Sequence, residues 1–110
     1  MYGGLTVWGR GPWYCAGRIN TNTSGSILSN YGRVSYTIVR DGTGQITITM
    51  STAHPQGANY AVLVSSPRAI TLVENNASGL GARTSTSFQI SVKSDFTTFS
   101  DTTGICFMVV

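Results

Sequence analysis

Apolar and polar side chains alternate on both sides of Asp41-Gly42-Thr43-Gly44, and this pattern narrows the choice of folds more than any other feature of the chain. Before the turn, Val34, Tyr36 and Ile38 point one way and Ser35 and Thr37 the other. After it, Ile46, Ile48 and Met50 oppose Thr47 and Thr49. A period of two is the side-chain geometry of a strand with one buried face. Asp41-Gly42 is the kind of pair that supplies the positive φ of a tight hairpin turn. The segment therefore predicts a β-hairpin, and similar alternation recurs along the chain.

With 110 residues the chain suits a single domain, 1–110, large enough to bury a core. Only 10% of its residues are charged, against roughly 25% in ordinary soluble domains, while 28 are Ser or Thr. Such a surface is either neutral and hydroxyl-rich or covered by copies of the chain, and both are expected here. The net charge of +3 comes from six Arg and one Lys placed singly. Nucleic-acid binding needs clustered cations, so it is not expected. The amino terminus lacks the basic start and apolar stretch of a signal peptide, and no apolar run is long enough to insert in a bilayer.

No window shows a helical period. Strands are expected at 5–8, 13–19, 26–31, 33–40, 45–51, 59–65, 69–74, 87–93 and 105–110, joined by segments rich in Gly, Asn, Ser and Pro. Short strands with turns every 8 to 12 residues or so predict an all-β antiparallel sandwich or barrel. The last strand is apolar at both parities, through Ile105, Cys106, Phe107, Met108, Val109 and Val110. It should lie centrally, one face on the core and the other against a neighbouring subunit. A chain ending in its most hydrophobic strand is expected to end where the native protein ends, as the carboxyl-terminal domain of something longer.

Cys15 and Cys106 match no zinc spacing. Two buried thiols packing as small hydrophobes are expected, and a disulfide stays open if the terminal strands are neighbours. His54, the one histidine, precedes a proline in a loop and reads as a turn residue or rim contact. No catalytic residue is expected, because nothing beside His54 offers a nucleophile and an orienting carboxylate. The four acids, Asp41, Glu74, Asp95 and Asp101, are too dispersed for a glycosidase pair. Gly79-Leu80-Gly81-Ala82-Arg83 lacks the third glycine of a nucleotide loop. Asn22-Thr23-Ser24 and Asn76-Ala77-Ser78 satisfy the glycosylation sequon, which a chain this rich in Asn, Ser and Thr generates by chance. Trp8, Trp13 and Tyr14 offer rings for stacking on sugars, though packing is the plainer reading. No cofactor or metal is expected.

The stretch 32–64, with GRVSYTIVRDGTGQITITMSTAHPQGANYAVLV, together with TSFQISV at 86–92 and the hydrophobic carboxyl terminus, resembles a domain at the carboxyl ends of tail-fibre, head-fibre and collagen-like proteins of bacteriophages and large aquatic viruses. Such domains look like the C1q and tumour-necrosis-factor heads. The resemblance implies a jelly-roll sandwich assembling as a homotrimer at the tip of a virion fibre and attaching to a host surface glycan or protein. A structural trimerisation head without a ligand is the alternative. On this reading the interface includes Trp8, Trp13, Tyr14, Phe107 and Val109. Counting strand reversals puts the loops 41–44, 66–68 and 94–104 at one end, away from the carboxyl terminus. Arg40, Asp41, Arg68, Asp95 and Asp101 would then face outward to grip sugar hydroxyls or hold calcium, an ordinary solvated loop surface being the plainer alternative.

Overall fold

The hairpin around Asp41-Gly44 forms in the expected register, Tyr36 opposite Met50 and Ile38 opposite Ile48, because that register alone puts its apolar residues on one face. The computed structural model describes residues 13–21, 25–66, 70–74, 83–93 and 98–110. Within them lie β1 (Cys15–Asn20), β2 (Ser26–Asn30), β3 (Tyr36–Gly42), β4 (Gln45–Met50), β5 (Val62–Ser65), β6 (Ile70–Glu74), β7 (Ser87–Lys93) and β8 (Ile105–Val109), with no helix among the described residues. They form two four-stranded sheets, β2-β1-β8-β5 and β3-β4-β7-β6. Every pairing is antiparallel. The expected strand at 5–8 lies outside the described residues.

Between the sheets the apolar parities meet. Cys15, Ile19, Ile105, Phe107 and Val109 come from the first sheet, and Ile46, Ile48, Met50, Phe88, Ile90 and Val92 from the second. Burying each aliphatic or aromatic side chain stabilises the fold by about 1.5–3 kcal/mol. Phe107 sits at the centre, edge-on to Tyr36 at 4.9 Å and to Phe88 at 5.9 Å between ring centroids. Tyr36 ties the sheets together, donating its hydroxyl to the Ser29 carbonyl of β2 at 2.6 Å. That reach needs Gly17, where a Cβ would collide with the Tyr36 hydroxyl.

Three local expectations change. Positive φ in the hairpin turn belongs to Gly44, at 66°, and not to Asp41-Gly42. The strand bulges between Arg40 and Gly42, and this moves the left-handed residue to the far side of the turn. A Cβ on Gly44 would also stand 2.5 Å from the Val92 carbonyl oxygen. Residues 33–35 do not begin β3. The Tyr31, Arg33 and Val34 amides donate to the carbonyls of Ala16, Trp13 and Tyr14, so this stretch is the corner carrying the chain from one sheet to the other. Nor do residues 59–61 extend β5. The Asn59 amide closes a turn on Gln56, and the Tyr60 hydroxyl is drawn to the carbonyls of Thr84 and Ser87.

β8 is central, between β1 and β5, as its composition requires. Its alternation is sharper than six apolar residues suggest: Ile105, Phe107 and Val109 are enclosed, Cys106 is exposed and Met108 half-buried.

Candidate functional site

Two regions hold side chains arranged for something other than filling the core: the loop end and the outward face of the first sheet. At the loop end the tip of the β3–β4 hairpin meets the strand-like run before β8. The Arg40 guanidinium lies 2.7 Å from an Asp101 carboxylate oxygen and donates to the Thr21 carbonyl, also at 2.7 Å. The other Asp101 oxygen accepts the Gly44 amide at 2.7 Å and the Thr21 hydroxyl at 3.3 Å. Partial burial pushes the Asp101 carboxyl up, but the Gly44 amide, the Arg40 guanidinium and the Thr21 hydroxyl together hold it below the usual carboxylate range. A carboxylate this well supplied with donors is fastening three segments to one another.

Asp41 follows Arg40 directly and so points to the other side of its strand. Its carboxylate accepts the Thr47 hydroxyl and the Gln89 amide on the outward face of the second sheet. The five residues expected to form a distal grip thus divide: Arg40 and Asp101 are joined, Asp41 faces elsewhere, and Arg68 and Asp95 lie outside the described residues. No group of three or more His, Cys, Asp or Glu able to hold a metal occurs among the described residues.

The opposite end is built on His54. The imidazole is 9% exposed, with its centroid 4.6 Å from that of Tyr14 and 5.2 Å from that of Tyr60. Nδ1 accepts the Gln56 amide, so Nε2 carries the proton and donates to the Val110 carbonyl at 3.0 Å. Tyr14 adds hydrogen bonds to the carbonyls of Thr52 and Ala53. Arg83 lies over the Tyr60 ring and donates to the Tyr60 carbonyl. Burial raises the Tyr60 hydroxyl pKa, and Arg83 partly offsets that. His54 is the peg that fixes the end of β8 to the loop before β5.

The outward face of the first sheet is different in kind. Ala16, Met108 and Leu63 form one cross-strand row, and Arg18, Cys106 and Ser65 the next. Over them opens a cleft of about 370 Å³, walled by Trp13 and Tyr31 on one side and by Leu63, Val64 and Ser65 on the other. Leu63 is 53% exposed and Tyr31 56%. Of the residues expected at an interface, Trp13 lines this cleft and Tyr14 is engaged with the 52–54 loop. Trp8 lies outside the described residues. Phe107 and Val109 are corrected: at 1% and 0% exposure they face the opposite sheet, and Cys106 and Met108 hold the outward positions. Sequence reasoning missed Arg18, Tyr31 and Leu63, and on β8 it named Phe107 and Val109 where Cys106 and Met108 turn outward, because a strand apolar at both parities carries no signal for which set turns inward.

The thiols follow the same parity. Cys15 pairs with Val109 and Arg18 with Cys106, so the two sulfurs sit on opposite faces of neighbouring strands and both are free. This overturns the expectation that both are buried, and the geometry excludes the bridge. Burial pushes the Cys15 thiol up to about 12, whereas Cys106 is exposed.

No family model, curated protein or solved structure matches the chain.

Proposed function

We propose that this chain is the trimeric head of a viral or phage fibre, a jelly-roll sandwich that attaches the particle to a glycan or protein on a host cell. The observation that carries the reading is the apolar outward face of the first sheet, with the last strand at its centre, which no strand or loop among the described residues covers. A face holding Leu63, Met108 and Tyr31 around a cleft is an exposed apolar patch of the kind that marks an interaction site. Covering it with copies of the same chain removes it from water. The jelly-roll assignment is supported by the strand order and by the chain crossing between sheets after β2, β4, β5 and β7. The viral setting rests on the resemblance carried by residues 32–64, 86–92 and 105–110.

Light scattering coupled to size exclusion should give close to three times 11.7 kDa, and a clean monomer at micromolar concentration sinks the assembly. Adsorption of the labelled protein to host cells, competed with envelope polysaccharide, tests attachment.

The second reading, a structural head without a ligand of its own, draws on the loop end. Arg40 and Asp101 spend their hydrogen bonds on Thr21, Gly44 and each other, which is what a fastening does. A trimer that binds neither cells nor polysaccharide selects this reading.

A further inference from the structure

The cleft on the first sheet has two kinds of lining, set side by side. Directly opposed residues on paired strands share a face. Two cross-strand rows therefore meet in the cleft: Ala16, Met108 and Leu63 in one, and Arg18, Cys106 and Ser65 in the other. Two residues along each strand separate the rows, a distance of about 7 Å. The first row is apolar and has aromatic company, because the Tyr31 amide donates to the Ala16 carbonyl and Trp13 walls the same side. The second is a row of donors: a guanidinium with no acceptor atom, a thiol and a hydroxyl.

Arg18 sets what the cleft can take. Its guanidinium rests on Gly104, the residue before β8, where a Cβ would stand 2.7 Å from Nη2 and 3.3 Å from Cζ. Among the described residues it makes no hydrogen bond and no ion pair; the salt bridge there joins Arg40 to Asp101. It is also the one charged residue among those described that line the cleft. A cation beside an apolar hollow, with no counter-ion of its own, selects an anionic group on an apolar body.

We propose that this cleft binds a compact aromatic carboxylic acid, its ring over Met108 between Tyr31 and Leu63 and its carboxylate on Arg18. The volume, about 370 Å³, falls within the range of small-molecule sites, roughly 300–1,000 Å³. Trp13 and Tyr31 favour a ring through edge and face contacts, and the Met108 thioether favours it from below. The short step between the rows suits a carboxylate joined directly to the ring or through one carbon. A sugar suits this cleft poorly, since hydroxyls set against Ala16, Met108 and Leu63 would go unpaired. The site does not depend on the assembly reading, because all its residues belong to one chain.

The test is titration calorimetry with naphthoate, and with naphthamide as its neutral match. The parent should bind one naphthoate per chain, at least roughly fivefold tighter than the amide. Arg18→Gln should bring the acid down to the level of the amide and leave amide binding unchanged, whereas Leu63→Ser should weaken both. In the parent itself, with no substitution, naphthoate should slow the labelling of Cys106 by a thiol reagent. The proposal is overturned if naphthoate does not bind, if it binds no tighter than the amide, if Arg18→Gln keeps the preference, or if Cys106 labelling is unchanged. Light scattering on the same samples keeps this result separate from assembly: a monomeric parent that binds the acid removes the trimer and supports the site.

Discussion

The outward faces of the two sheets are built from the same kind of strand and do opposite things. The second sheet turns Thr37, Thr47 and Thr49 away from the core beside Val39, which is 58% exposed, while Gln89 and Ser91 at the same parity are themselves buried, at 5% and 0%. The first turns out Leu63, Cys106 and Met108, in line with Ala16, which is buried at 3%. Their inner faces are alike, both lined with Ile, Val and Phe. Folding is thus served equally by both sheets, and the outward difference concerns what each meets next. An apolar outward face costs free energy in an isolated domain and returns it on association.

The largest effect should come from the faces the sheets share. Ile48→Asp or Ile90→Asp places a carboxylate where exposure is 0%, and a loss of about 4 kcal/mol or more should leave no cooperative melting transition. A soluble, cooperatively melting Ile48→Asp protein would mean the core is elsewhere.

Next comes the outward contrast itself. Met108→Arg, on the first sheet, should weaken association at least tenfold, equivalent to about 1.4 kcal/mol, with the fold retained. Thr49→Arg, on the second, should leave the mass unchanged. Equal effects at the two positions would abolish the distinction between the faces.

A smaller effect is expected at the loop end. Asp101→Asn leaves Arg40 without its carboxylate and should cost about 1–2 kcal/mol. Because the folded-state carboxyl titrates below its unfolded value, its contribution is present above about pH 4 and is lost as pH falls through the lowered value. Acid melting curves of parent and Asp101→Asn should therefore converge toward pH 2. A gap that widens on acidification contradicts the assignment.

The thiols give the gentlest probe, since they perturb nothing. Under native conditions a thiol reagent should modify Cys106 and spare Cys15, whose thiol is both buried and pushed up to about 12. If copies cover the first sheet, Cys106 labelling should slow as concentration rises. Concentration-independent labelling would place the covered surface elsewhere.

Much of the fold was legible in the residues. Alternation through Tyr36 to Met50 and through Phe88 to Val92 marked both strand and parity, because a polar residue at every second position leaves one face for the core, although Gln89 and Ser91 on the other face of β7 are buried as well. The hairpin's location was plain from its glycines, yet which glycine turns left-handed depended on a bulge that no local pattern announces. The candidate site was less legible. Arg40 and Asp101 lie 61 positions apart, and nothing in either neighbourhood names the other. His54 gave no hint that it would hold the carbonyl of Val110.

Composition and period by themselves determined that this chain is all-β, with a hydroxyl-rich surface and a final strand fit only for the middle of a sheet, because those properties follow from side-chain chemistry and a repeat of two. Tertiary structure decided which parity of β8 turns outward. Ile105, Phe107 and Val109 could close on Tyr36 and Phe88 only through the register that pairs Cys15 with Val109, and that choice put Cys106 and Met108 on the surface. Two equally apolar sets of side chains carry no local preference, so the decision belonged to packing across strands distant in the chain.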